Sequence, residues 1–160
     1  MAPIRVLFIC LGNICRSPTA EGVFTKLVED SGLSERIHVD SAGTGDWHVG
    51  DPPDRRARAE AARRGIDISG LRGRQVARSD FDTFHYVLAM DQSNYRDLSR
   101  LCPTAHRGKL HLCLDFASDA DEREVPDPYY GGDDGFAHVY DLVEDAARGL
   151  LQRIRQEHGL

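Results

Sequence analysis

A chain of 160 residues, with 41% hydrophobic and 29% charged residues, has the size and balance of one globular domain. Its formal net charge of −6 argues against general nucleic-acid binding, which wants a basic surface. It leaves room for a local anion pocket, because a few residues set the potential inside a cleft. No stretch approaches the roughly 18 apolar residues that span a bilayer. The apolar run before Gly12 has no small-residue cleavage site, so a cytoplasmic chain without a membrane partner is expected.

In chain order, Ile4 to Ile9 is rich in branched apolar residues and predicts a buried strand. Cys10 to Arg16 predicts a loop. Ser17-Pro18-Thr19-Ala20-Glu21 opens a helix, with Ser17 suited to the N-cap and Pro18 to the first helical position. Ala20, Val23, Phe24, Leu27 and Val28 recur on one face of it, and Gly32 ends it. Ile37 to Ser41 predicts a second strand, followed by a Gly-rich loop with the one tryptophan, Trp47. Pro53 to Arg64 reads as a basic, Ala-rich helix closed by Gly65. Tyr86 to Met90 predicts a third strand, Asp91 caps a helix to about Leu101, and Lys109 to Leu114 predicts a fourth strand. A long loop from about Asp115 to Asp134 leads to an amphipathic helix marked by Phe136, Val139, Tyr140, Val143, Ala146, Ala147, Leu150, Leu151 and Ile154.

Strands alternating with helices predict an α/β fold. It is read as a single three-layer domain over residues 1–160, its parallel sheet flanked by helices. Ligands of such sheets bind beyond the carboxyl ends of the strands. Segments 10–17 and 126–132, both expected on loops after a strand, can meet at that edge.

Cys10-Leu11-Gly12-Asn13-Ile14-Cys15-Arg16-Ser17 is C-x5-R-S between a strand and a helix. Successive backbone N–H groups of a tight loop converge on one point, and a helix N-terminus adds positive potential there. Gly12 and Asn13 tolerate the left-handed backbone that such a loop needs. Arg16 can grip two phosphate oxygens with its planar fork. A positive field of this kind favours the thiolate form of a central cysteine, which is the nucleophilic form. Ser17 can donate a hydrogen bond to that sulfur. An isolated C-x5-R match reads first as a buried core cysteine beside a surface arginine. The strand before it and the Ser-Pro helix start after it favour the anion loop. Cys15 either packs or captures an oxidised Cys10 as a disulfide, making it a redox candidate.

Cleaving an aryl phosphate ester also needs a proton for the leaving oxygen. Asp127, held between Pro126 and Pro128, is the candidate acid, because the flanking rings restrict where its carboxyl points. Tyr129, Tyr130, Gly131 and Gly132 follow it. Taken alone, the segment reads as a surface turn.

These segments resemble the low-molecular-weight protein tyrosine phosphatases, through VLFICLGNICRSPTAEGVF at 6–24, DSAGTGDWHVG at 40–50 and PDPYYGG at 126–132. The resemblance implies a four-stranded parallel sheet with a phosphate-binding loop after strand 1. It implies a two-step mechanism through a phosphocysteine, with no metal or other cofactor. Cys10 attacks phosphorus, and Arg16 with the amides of Leu11, Gly12, Asn13, Ile14 and Cys15 binds phosphate. Asp127 protonates the leaving phenol and then activates water. Asn13 holds the loop, with Ser17 and Ser41 in the hydrogen-bond network behind it. Trp47 and Tyr129 wall a slot suited to a phenyl ring. Tyr130 is expected outside the slot. The implied partners are a phosphotyrosine-containing protein or a small aryl phosphate. One departure stands out: Leu71, in Ser69-Gly70-Leu71-Arg72-Gly73-Arg74-Gln75, replaces a family histidine that supports the loop asparagine.

Thioredoxin-coupled arsenate reductases share a C-x5-R loop, but their chemistry needs two closely spaced shuttle cysteines. Cys102 and Cys113 are far apart and late, and are expected to pack. A phosphate-binding module or a cysteine phosphocarrier leaves Asp127 and Arg16 together unexplained. The spacing of the four cysteines does not suit zinc, which prefers tight pairs. The basic run Arg55, Arg56, Arg58, Arg63, Arg64 reads as a solvated helix face. His48 is placed at the cleft mouth or on the surface. The sequence does not reveal oligomeric state.

Overall fold

Strand β1, Ile4–Cys10, is buried at every position but Arg5. That is the burial expected of a strand flanked by parallel neighbours and covered on both faces. In the computed structural model, which describes residues 2–132 and 134–160, it lies between β2 (Ile37–Gly43) and β3 (Tyr86–Ala89). The sheet is wholly parallel, in the order β2-β1-β3-β4, with β4 at Leu110–Leu112. Met1 and Asp133, one at the start of the expected domain and one in the expected long loop, lie outside the described residues.

The helices are α1 (Arg16–Asp30), α2 (Arg55–Arg63), α3 (Asp80–Thr83), α4 (Gln92–Leu101) and α5 (Asp134–His158). Alternation along β1 divides the core. Ile4, Val6 and Phe8 pack with Val23 and Phe24 of α1 and with Val143, Leu150 and Ile154 of α5. Leu7 and Ile9 point the other way, against Phe81, Leu98 and Leu110. Fully burying side chains of this size contributes about 1.5–3 kcal/mol each. A smaller cluster of Ile14, Cys15, Ala57, Ala61, Ile68 and Phe136 joins the first loop to α2 and α5. Among the described residues no helix is long and apolar enough to cross a membrane.

Helix α5 crosses the turn Cys113–Phe116 at Gly149, where an added Cβ would run into the Phe116 carbonyl. On an exposed helix face Gly→Ala is stabilising by about 1 kcal/mol. Here the sign should reverse. Gly149→Ala is expected to cost about 2 kcal/mol of stability and to lower the melting temperature by about 5 °C, read by thermal unfolding.

Several boundaries differ from the sequence expectation. Cys10 is the last residue of β1, in register with Gly43, not the first of a loop. Helix α1 begins at Arg16, and Cys15 occupies the N-cap without a side-chain cap. Ser17 is not the cap, because its hydroxyl turns to Cys10 instead. Strand β4 is shorter than expected. Lys109 falls in a 3-10 turn, Thr104–Lys109, and Cys113 and Leu114 in another, where the Asp115 carboxylate accepts from the Leu112 amide. The four-residue α3 was too short to show a helical period. Segment 126–132 does not follow a strand. It follows Val125, whose N–H donates to the Met90 carbonyl at 2.8 Å, just past the end of β3. That bond, with the Val125 carbonyl accepting from Arg16 and the Glu124 carboxylate from the Gln92 amide, holds it at the carboxyl edge of the sheet.

Candidate active site

The loop after β1 turns its carbonyls outward. Those of Cys10 and Leu11 accept from Thr44 and Gly45, that of Ile14 from Asp54, and that of Cys15 from Thr19. In a planar trans peptide the next residue's N–H points opposite to the carbonyl. The amides of Leu11, Gly12, Cys15 and Arg16 are therefore directed inward. Asn13 has φ 57°, the one left-handed non-glycine among the described residues, and its amide donates to Cys10 Sγ at 3.3 Å. Arg16, 2% exposed, is anchored through Nη1 to Asp91 Oδ2 at 2.7 Å and to the Val125 carbonyl at 3.0 Å. The arrangement is an anion cradle with a sulfur at its base.

Behind the cradle, Asn13 orders the hydrogen bonds of its own side chain. Its Oδ1 accepts from the Arg74 amide at 2.9 Å, which leaves Nδ2 to donate to Ser17 Oγ at 2.8 Å and Ser41 Oγ at 3.0 Å. Both serine oxygens then accept, so each O–H gives elsewhere. Ser41 donates to Glu21 Oε1 at 2.6 Å, and Ser17 has both Cys10 Sγ at 3.0 Å and the Ala42 carbonyl at 3.4 Å within reach. Leu71 packs against the cluster around Ile14 and Phe136. The Arg74 backbone, two residues along from Leu71's neighbour Arg72, supplies the donor to Asn13, so the loop asparagine is held without a side chain from position 71.

Burial raises the Glu21 carboxyl from 4.5 to about 7, with Asp40 adding to the rise and the Ser41 bond and Arg74 opposing it. Between those two pH values the folded protein keeps a proton that the unfolded chain has released. Stability is therefore greatest at the acid end of this window and falls as pH rises through 7. Glu21→Gln removes that slope. Between pH 5 and 8 the variant is expected to lose up to about 3 kcal/mol less stability than the parent in urea titrations.

The acid loop faces the cradle. Asp127 Oδ2 lies 3.8 Å from Arg16 Nη2, and Asp127 Oδ1 accepts from the Tyr129 amide at 3.0 Å. Cys10, Leu11, Gly12, Ile14, Cys15, Arg16, Trp47, Asp127 and Tyr129 line one cleft of 330 Å³, with His48 and Tyr130. Asn13, Ser17 and Ser41 sit behind it, buried. Trp47 is 67% exposed, its ring lying over Gly45, where any Cβ would strike it. Tyr130, expected outside the slot, stands at its rim, 93% exposed, with its ring edge against Tyr129 at 4.9 Å. His48 is at the cleft mouth, its Nδ1 3.1 Å from Asp51.

All four cysteines are free. Burial pushes the Cys15 thiol up, reinforced by Asp54, so Cys15 is held as a thiol. Cys113 is raised to about 12 by burial, and Cys102 is also raised by burial. Both lie in the core clusters.

Sequence reading missed several contributors. Asp91 was visible as a helix cap, and its Oδ1 does accept from the Asn94 amide at 2.8 Å. Its other oxygen holds Arg16, seventy-five positions away. Glu21 was read only as a first-turn residue. Arg56, assigned to a solvated face, reaches the acid loop.

The sequence model of the family described as low molecular weight phosphotyrosine protein phosphatase matches residues 5–159. A low molecular weight phosphotyrosine protein phosphatase of Schizosaccharomyces pombe is 46% identical, over 94% of this chain and 97% of that one. The crystal structure of a protein tyrosine phosphatase from Entamoeba histolytica superposes with a TM-score of 0.92 at 43% identity, covering 98% of each chain. That of a Drosophila arginine phosphatase superposes with a TM-score of 0.86 at 31% identity, covering 95% of this chain and 98% of that one.

Proposed function

Because this chain belongs to the low molecular weight phosphotyrosine protein phosphatase family, we propose that it hydrolyses aryl phosphate monoesters, phosphotyrosine above all, through a phosphocysteine on Cys10. The observation that carries this reading is the meeting of three groups in one cleft: Cys10 Sγ at the base, the Arg16 fork beside it, and Asp127 3.8 Å from that fork.

The phosphate dianion seats on the inward amides and Arg16. The sulfur attacks phosphorus as the P–O bond to the phenol breaks, and Asp127 gives its proton to the departing oxygen. The equatorial oxygens stay within the cradle, so its donors stabilise the transition state without rearranging. In the second step Asp127, now a carboxylate, takes a proton from water as that water attacks the phosphocysteine. Inorganic phosphate leaves, and Ser17 donates to the released sulfur.

The exposed rings of Trp47 and Tyr129 favour an aryl ester. A flat ring between them places its ester oxygen near Asp127, a fit that a short serine phosphate lacks. Cys15, free and buried in the same cleft, is the candidate thiol for condensing with a Cys10 sulfenic acid, forming a disulfide and releasing water.

The likeness to an arginine phosphatase makes phosphoarginine the competing substrate. Steady-state hydrolysis of matched phosphotyrosine and phosphoarginine peptides tests the choice. A kcat/KM for phosphotyrosine at least about tenfold higher is expected, a difference of about 1.4 kcal/mol in transition-state binding. Equal or higher turnover of phosphoarginine overturns the aryl assignment.

A further inference from the structure

We propose that Asp54 and Arg56, at the start of α2, form a strut that holds the acid loop at its working distance from the phosphate loop, and that Arg56 is a positioning residue for proton transfer by Asp127.

The strut is continuous from one loop to the other. At its base the Asp54 amide donates to the Ile14 carbonyl at 2.8 Å. The Asp54 carboxylate caps α2 by accepting from the Arg56 amide at 2.8 Å. It also accepts from Arg56 Nε and Nη2, each at 3.1 Å, a two-point pairing that fixes the plane of the guanidinium. From that plane Nη2 donates to the Tyr129 carbonyl at 2.9 Å. The Tyr129 amide in turn donates to Asp127 Oδ1. The guanidinium also lies over two rings, 5.5 Å from the centroid of Tyr129 and 4.7 Å from that of Phe136.

The acid loop needs such a hold. Its entry is secured by Val125, which donates to Met90 and accepts from Arg16. Beyond that point it joins no strand, and Asp127 is more than a third exposed. The flanking prolines fix local dihedrals but not the distance to the cradle. Arg56 fixes the far side, because it grips the residue whose amide orients the carboxyl. A misplacement of about 1 Å can cost about a hundredfold in rate.

Among the five arginines of the basic run, this separates Arg56 from a solvated face. Lysine cannot replace it fully, since one ammonium cannot pair two-point with Asp54 and also lie flat on both rings.

The inference rests on Asp127 being the acid, so the test reads that residue separately. Arg56→Met keeps the apolar stem and removes the fork; Arg56→Lys keeps one donor. For each, kcat/KM is measured with phenyl phosphate and with p-nitrophenyl phosphate, whose more acidic phenol needs its leaving proton less. Inorganic phosphate inhibition and thermal melting are measured in parallel. Arg56→Met is expected to lower kcat/KM for phenyl phosphate by about ten- to a hundredfold, with a smaller loss on p-nitrophenyl phosphate. Phosphate inhibition should change by less than about threefold, and Arg56→Lys should recover part of the loss. In an Asp127→Ala background, Arg56→Met should add nothing. Equal losses on both esters, a parallel loss of phosphate affinity, or a further loss in the Asp127→Ala background overturns the strut. If Asp127→Ala itself shows no leaving-group dependence, the acid assignment has failed instead. Should Arg56→Met not fold, Arg56→Lys carries the comparison with the same expected ordering.

Discussion

Cys10→Ser is expected to lower p-nitrophenyl phosphate hydrolysis by about 10⁴-fold or more, the scale of loss when an enzyme's nucleophile is removed. At neutral pH a serine hydroxyl keeps its proton, and the groups that hydrogen-bond position 10, with the Arg16 fork beside them, include no base, while Asp127 is committed to the leaving oxygen in this step. Asn13 donates from its amide, Ser17 Oγ already accepts from Asn13, and Arg16 carries only donors. The binding half of the site survives the change. The inward amides and the Arg16 fork remain, and the sulfur that faces the phosphate dianion is gone. Inorganic phosphate should therefore bind with a Kd within about threefold of the parent, or tighter. Calorimetric titration with phosphate, beside the rate assay, separates a missing nucleophile from a collapsed loop. A phosphorylated cysteine trapped by acid quench in the parent should be absent in the variant. Comparable turnover in Cys10→Ser would falsify the covalent mechanism. Cys15→Ser is the matched control. Burial holds Cys15 as a thiol, and its replacement should cost less than about tenfold, through packing beside Ile14 and Ala57.

The residues assigned to the proposed reaction stand out in the sequence because the chain writes them locally. A branched apolar strand, five loop residues, an arginine and a Ser-Pro helix start lie within some fifteen positions, and each constrains the next. Asp127 stood out for a similar reason, fixed between two prolines. The sheet was legible too, since β1 and β3 are short apolar runs of the kind that two-sided burial demands. The residues that aim the site were not. Asp91 meets Arg16 across seventy-five positions, Arg56 meets Tyr129 across seventy-three, and Glu21 meets Ser41 across twenty. Nothing in the spacing of such residues distinguishes them from solvated charges, because the contact is made by the fold and not by the segment. Ser17 shows the same limit at close range. Its type and place suit a helix cap, yet its hydroxyl is taken by the sulfur and Asn13. Tertiary contacts overrode local preference at the residue nearest the reaction. Leu71 makes no hydrogen bond to Asn13, whose Oδ1 accepts from the Arg74 backbone, a contact that residue types alone do not reveal.

Asp127→Ala is the second large effect, and it divides the chemistry from the binding in a different way. Removing a positioned general acid costs about 10²–10⁴-fold in the step that it serves. That step releases the phenol, so kcat/KM, which reports events up to the first irreversible release, should fall by that amount for phenyl phosphate and less for p-nitrophenyl phosphate. The same carboxyl is assigned to water activation in the second step. A slowed second step lets phosphocysteine build up, so the variant should accumulate more phosphoenzyme per turnover with the p-nitrophenyl ester. Phosphate affinity should hold or improve, because a carboxylate 3.8 Å from the Arg16 fork competes for the same cation that the phosphate uses. Arg16 itself stays anchored through Asp91 and the Val125 carbonyl, neither of which depends on Asp127. Rapid-quench measurement of phosphoenzyme, with kcat/KM on the two esters, reads all three expectations. Equal losses on both esters with no rise in phosphoenzyme would mean that the proton comes from elsewhere, and that the carboxyl at 127 serves only to orient the loop.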